Sequence, residues 1–139
     1  MDRKKILVLC TGNSCRSQMA KGYLQYFANS NAAIYSAGIE AHGVNPKAIE
    51  TMKEDGIDIS KHTSNKIDEY RNIDFDFVIT VCDNAKEHCP FFPSTAKRFH
   101  QDFPDPAKAK GSEQEIKEQF RFVRLQIKEY CKKFVEDHF

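Results

Sequence analysis

The sequence predicts an α/β fold: a single three-layer domain with a four-stranded parallel sheet flanked by helices. Three observations predict it. Short apolar runs alternate with helical patterns along the 139 residues, the order that right-handed β–α–β crossovers require. The clearest runs are continuous rather than alternating, as in strands buried on both faces. No repeat, low-complexity stretch or linker divides the chain, so residues 1–139 read as one domain.

Each element has its own signal. Lys5 to Leu9 is a short apolar run and reads as the first strand. Met19, Ala20, Tyr23, Leu24 and Phe27 then fall on one face of a helix. Ala33 to Ala37 is a second short strand ending at Gly38. Asn45-Pro46 opens a helix, because Asn caps well and Pro suits the first helical position. Ile49 and Met52 face inward, and Gly56 stops that helix. Phe75 to Val81, rich in β-branched and aromatic residues, is the third strand. A fourth is expected near Ala96 to Phe99. Ser112-Glu113-Gln114-Glu115 is a capping box. Ile116, Phe120, Val123, Ile127, Tyr130 and Phe134 carry the last helix at spacings of three and four.

Composition narrows the function classes. Apolar residues make up 40% and charged residues 29%, enough for a core under a wet surface. Lys plus Arg is 21 against 20 for Asp plus Glu, a net charge of +1. That balance argues against a nucleic-acid or membrane-surface protein. No apolar run approaches the ~20 residues of a membrane span. The basic amino terminus precedes only Ile6 to Cys10, shorter than the about 7–15 apolar residues of a signal peptide. The expectation is a cytoplasmic protein. Five cysteines (Cys10, Cys15, Cys82, Cys89 and Cys131) are an odd number, which speaks against a structural disulfide framework. No C-x-x-C pair is present, and His42, His62, His88, His100 and His138 show no ligand spacing, so no metal site is expected. The 11 Phe read as core.

The chemistry begins at the first strand's carboxyl end, where ligands of parallel sheets bind. There the chain reads Cys10-Thr11-Gly12-Asn13-Ser14-Cys15-Arg16-Ser17. Small residues let such a loop curl its N–H groups into one hollow, and the following helix adds positive potential. Residues 11–17 are the candidate oxyanion site, with Arg16 gripping two oxygens as a fork. The same field is expected to hold Cys10 as a thiolate, with Ser17 donating to its sulfur. A thiolate under a bound oxyanion is a nucleophile aimed at its central atom. The plain alternative is a buried cysteine with Arg16 solvated.

Cys10-x5-Arg16-Ser17 is the signature of the low-molecular-weight protein tyrosine phosphatases and of the arsenate reductases that share their fold. The stretches CTGNSCRSQMA (10–20) and YSAGIEAHGVNPKAI (35–49) strongly resemble the thioredoxin-coupled arsenate reductases. So does the stretch from Met52-Lys53-Glu54 through Thr63-Ser64. The resemblance covers nearly the whole chain and weakens in the last helix. It implies reduction of arsenate to arsenite by a three-cysteine relay. Cys10 attacks arsenic, and Cys82 then forms a transient Cys10–Cys82 bridge. Cys89 takes over to leave Cys82–Cys89, which thioredoxin reduces. A helical 82–89 segment would hold its end Cα atoms about 10 Å apart, against about 4.4–6.8 Å for a disulfide. The segment must therefore unwind or loop, and Asp83, Asn84 and Pro90 are poor helix-interior residues. The alternative is that Cys82 and Cys89 are two small core residues. Cys15 reads either as a supporting thiol or as packing, and Cys131 as core.

Asp102 and Asp105 are the candidate acids. Asp105 is favoured, because Asp-Pro is the general-acid position in both families that the chain resembles, and Pro106 restricts its geometry. Ala107-Lys108 stand where phosphatases of this fold carry tyrosines, which weakens a phosphotyrosine reading. Arsenate reductases of this kind often have Glu at position 21 and Asp at position 65, holding potassium with Asn13 and Ser36. Here Lys21 and Asn65 replace both acids, so no such cation site is expected. Arsenate is then the substrate and thioredoxin the partner, with no cofactor, no nucleic acid, no membrane and a monomer as the default. The rivals are a low-molecular-weight protein tyrosine phosphatase and a non-catalytic oxyanion- or redox-sensing module.

Overall fold

The computed structural model describes residues 3–83 and 87–139. In chain order the elements are β1 (Lys4–Cys10), α1 (Arg16–Ala28), β2 (Ala32–Gly38), α2 (Pro46–Glu54), β3 (Phe77–Thr80), β4 (Lys97–His100) and α3 (Glu113–His138). Short 3-10 turns span Asn29–Asn31, Ile67–Tyr70 and Pro106–Lys108.

The four strands form one sheet in the order β2-β1-β3-β4, and every pairing is parallel. The chain leaves β1 toward β2 and returns across it to β3. The carboxyl end of β1 is thus the point where the crossovers diverge, the place where open parallel sheets bind ligands. Cys10 is the last residue of β1. Beside it, Leu9 pairs with Thr80, and the Val81 N–H donates to the Leu9 carbonyl at 3.0 Å. Cys82 therefore leaves the sheet next to Cys10.

Side chains alternate between two apolar clusters, as strand geometry demands. Ile6, Val8, Ile34, Phe77 and Ile79 join Met19, Tyr23 and Leu24 of α1, Met52 of α2, and Phe120, Val123, Ile127 and Phe134 of α3. Leu7, Leu9, Ala37 and Val78 face the other way, onto Phe75 and Phe92. That second face is covered by the Ile67–Tyr70 turn and by edge-to-face aromatic pairs, Tyr35–Tyr70 and Tyr35–Phe75 at 5.3 Å and Phe75–Phe92 at 5.6 Å.

Element ends follow local chemistry. Asn45 caps α2 through an Oδ1 that accepts from the Lys47 N–H at 2.8 Å. Gly56, just beyond α2, takes φ +77°, which a glycine adopts freely. The capping box at Ser112 and Glu115 closes both ways. β3 is shorter than the apolar run around it, because Phe75 turns into the aromatic layer and Val81 begins the exit. β4 starts one residue later than expected and is largely exposed, as an edge strand. Among the described residues no helix is long and apolar enough to cross a membrane.

Candidate active site

The loop between β1 and α1 is shaped by what its carbonyls do. The Thr11 carbonyl accepts from the Glu40 N–H (3.1 Å), Gly12 from His42 (3.0 Å) and Ser14 from Asn45 (3.1 Å). The Asn13 carbonyl accepts from Gln18 Nε2 at 3.0 Å and Ser64 Oγ at 2.9 Å. In a trans peptide the N–H points opposite to the carbonyl. Pinning four successive carbonyls outward therefore turns the N–H groups of residues 12–15 inward, toward one hollow. This is the geometry of an anion nest at a helix start.

Asn13 makes the bend, at φ 48°, a left-handed conformation that Asn tolerates better than most residues. It is fully buried. Its Nδ2 donates to Ser17 Oγ at 2.8 Å, and its Oδ1 accepts from the Asn65 N–H at 2.8 Å. Gly38 lies beneath the loop. A Cβ there would sit 2.6 Å from the Thr11 carbonyl and 2.8 Å from the Asn13 nitrogen, so only glycine fits.

Arg16 opens α1, and its side chain is 3% exposed. Nη1 lies 2.7 Å from Glu87 Oε1 and donates to the Phe103 carbonyl at 3.1 Å. Nη2 lies 3.6 Å from Asp105 Oδ2. Burial works against the guanidinium charge, but Cys10, Glu87 and Asp105 outweigh it and raise its pKa. Asp105 also accepts from the Ala107 N–H at 3.0 Å, capping the Pro106–Lys108 turn and fixing its carboxylate. Asp102 points elsewhere, with Oδ1 2.5 Å from His100 Nε2. Of the two candidate acids, Asp105 is the one that shares a cavity of about 530 Å³ with Cys10, Gly12, Cys15 and Arg16.

Cys10 is buried at the floor of this cavity. Burial, with Asp105 and Cys10 nearby, pushes the Cys15 thiol up to about 12, so Cys15 keeps its proton at neutral pH. Cys131 packs against α1, Sγ 3.7 Å from the Ala20 carbonyl, and burial raises its pKa too. Cys82 and Cys89 are joined in a disulfide with Cα atoms 5.8 Å apart. Cys82 is fully buried and Cys89 partly so. No helix spans the described part of 82–89; Asn84 lies outside the described residues.

Some neighbours were not legible beforehand. Glu87 enters the cavity through the disulfide-closed loop, and His42 and Asn45 line its rim. Nothing in the local sequence marks Glu87, because its place depends on a covalent ring. His62 approaches Gln18 Oε1 with Nδ1 at 3.2 Å. Burial first, and the Lys21 charge second, lower its pKa to about 4 despite Asp58, so it is a neutral scaffold group. At the positions of a potential cation site, Asn65 is tied to Asn13. Ser36 Oγ is buried with no hydrogen-bond partner among the described residues.

Inward amides, a buried arginine and a cysteine at one helix start have the shape and charge to take a tetrahedral oxyanion, the arrangement that cysteine-dependent phosphatases use. The model of the low molecular weight phosphotyrosine protein phosphatase family matches residues 5–138, and the chain belongs to that family. Within it, the chain is 50% identical over 136 residues to an arsenate reductase of Halalkalibacterium halodurans, covering 98% of each. It is 48% identical over 136 residues to the arsenate reductase of Bacillus subtilis, again covering 98% of each. A solved arsenate reductase in its phosphate-binding state superposes with a TM-score of 0.81 at 36% identity, over 96% of this chain and 98% of that one. A low molecular weight protein tyrosine phosphatase from T. tengcongensis shares the fold, with a TM-score of 0.77 at 24% identity over 96% of this chain and 99% of that one.

Proposed function

We propose that the protein reduces arsenate to arsenite through Cys10, Cys82 and Cys89. The observation that carries this reading is the Cys82–Cys89 disulfide at the end of β3, beside the Cys10 loop. A phosphatase of this fold needs a cysteine, an arginine and an acid, and has no use for a second and third thiol. The arsenate reductases at about half identity support the same substrate.

The steps balance as follows. Arsenate sits on the amides of residues 12–15 and the fork of Arg16. Cys10 Sγ attacks arsenic, and Asp105 gives a proton to the oxygen that leaves as water. Cys82 thiolate attacks Cys10 Sγ. The sulfur–arsenic bond breaks with its electron pair staying on arsenic, so As(V) leaves as As(III) and Cys10–Cys82 forms. Cys89 thiolate then attacks Cys82 Sγ, freeing Cys10 and leaving Cys82–Cys89. Two electrons and two protons from an external dithiol restore both thiols. Resemblance points to thioredoxin as that dithiol, acting on a monomer in the reducing cytoplasm. The exchange itself needs no metal or nucleotide.

The second reading is ester hydrolysis by the same loop, which phosphate's likeness to arsenate favours. The test measures arsenite release with reduced thioredoxin, its reductase and NADPH, beside p-nitrophenyl phosphate hydrolysis. Wild type is expected to turn over many times, Cys10→Ser to lose both activities, and Cys82→Ser to lose only reduction. Hydrolysis without any arsenite would hand the site to the phosphatase reading.

A further inference from the structure

With Cys82 and Cys89 bonded, a carboxylate sits on the arginine of the anion site. Glu87 Oε1 lies 2.7 Å from Arg16 Nη1, accepts from Thr11 Oγ1 at 3.3 Å, and accepts from the Asp83 N–H at 3.2 Å. Its side chain is 9% exposed, and its own N–H donates to the Asp83 carbonyl at 3.0 Å. It thus holds the arginine and the Thr11 hydroxyl that stand at the mouth of the hollow. Glu87 lies inside the ring closed by Cys82–Cys89, two residues from Cys89.

We propose that Glu87 is a redox-gated plug of the oxyanion site: the Cys82–Cys89 disulfide seats its carboxylate on Arg16, and reduction of that disulfide releases it. This rests on the reading of residues 11–17 as an oxyanion site, given above. A carboxylate is the natural competitor of a phosphate-like anion for a guanidinium, since both accept the same charge-assisted hydrogen bonds. Tethering makes the competition intramolecular, with an effective concentration that no free carboxylate reaches. The disulfide is what shortens the tether, holding its ends 5.8 Å apart. When two electrons and two protons from a dithiol open the bond, the ring becomes an ordinary chain segment. Seating Glu87 then costs the conformational freedom that the bond had already removed. Asp105, 3.6 Å from the other guanidinium nitrogen, lies outside the ring and is not tethered by the bond. The oxidised site therefore opposes an incoming dianion with two carboxylates beside Arg16, the reduced site with one.

The coupling is reciprocal. If the oxyanion prefers the reduced form, it must raise the reduction potential of Cys82–Cys89 by the same free energy. A tenfold preference corresponds to about 30 mV for a two-electron couple. The spent enzyme then does not sequester oxyanion while it waits for its reductant, and oxyanion biases the pair toward the active thiols.

The experiment titrates inorganic phosphate into the full chain by calorimetry, in disulfide and dithiol forms, for wild type, Glu87→Gln and Glu87→Ala. Melting curves check that each variant folds. Oxidised wild type is expected to bind at least about tenfold more weakly than reduced wild type. Both variants should tighten the oxidised form more than the reduced one and so close most of the gap. The midpoint potential of Cys82–Cys89, followed with increasing phosphate, should rise in wild type and move little in the variants. Equal affinity of the two wild-type forms, or a gap that both variants leave intact, overturns the plug while leaving the oxyanion site standing. No phosphate binding in any form would sink the oxyanion reading itself, and the plug with it.

Discussion

Arg16 is where the electrostatics of the site converge. It touches the Phe103 carbonyl, Glu87 and Asp105 from a side chain 3% exposed. Such an arrangement needs a planar fork, because one nitrogen faces the loop from 87 and the other faces Asp105. Lysine would keep the charge and lose the geometry. Arg16→Lys is therefore expected to lower kcat/KM for arsenate by about 10²–10³-fold, the usual cost of one oxyanion donor. Steady-state kinetics checks this, and a loss below about tenfold would mean that charge alone suffices. Legibility at this scale tracked sequence distance. Cys10 to Ser17 could be read because nucleophile, amides and arginine are contiguous. Asp105 needed its proline and a family likeness. Glu87 was not legible, since it sits 71 residues from Arg16 in sequence and inside the ring that the Cys82–Cys89 bond closes.

The elements around the site are braced by polar contacts at helix ends. Asp55, just past α2, accepts from the Tyr23 hydroxyl of α1 at 2.8 Å and pairs with Lys128 of α3 at 2.9 Å. Lys128 is the main cause that holds the Asp55 carboxyl below its usual 3.8; partial burial opposes it and the Tyr23 hydroxyl assists. A carboxyl with a depressed folded pKa contributes stability that is fully present above its unfolded value. That stability is lost as pH falls through the folded value. Asp55→Asn should then lower the melting temperature at neutral pH and flatten its fall below about pH 4. Equal acid slopes in mutant and wild type would place the acid sensitivity elsewhere. The helix ends were the most legible part of the fold, since Asn45, Gly56 and Ser112 act through their own neighbours in the chain. The strands were less so. β4 carries the exposed run Lys97–His100, and an edge strand has no second buried face to write an apolar pattern.

At the scale of the molecule, the proposed relay rests on the sheet order. Nothing local in residues 10–17 says which strand lies beside β1; the parallel pairing of β1 with β3 places the residues after Leu9 and Thr80 side by side. Cys10 and Cys82 each follow within two residues of that pair, which is the adjacency the proposed first transfer requires. Cys89 is bonded to Cys82, so the proposed second transfer ends in the bond that the structure holds. Two apolar runs each run into a cysteine in the sequence, but their adjacency and register come from the packed sheet. This order predicts a trapped intermediate. In Cys89→Ser the first transfer can proceed and the second cannot, so arsenate should yield about one arsenite per molecule, by the one-disulfide stoichiometry of the exchange. Acid quenching and peptide mass analysis should then find Cys10 bonded to Cys82. Continued turnover by Cys89→Ser, or a quenched product bonded through Cys15 instead, would show that the electrons leave by a route other than the one the strand order lays out.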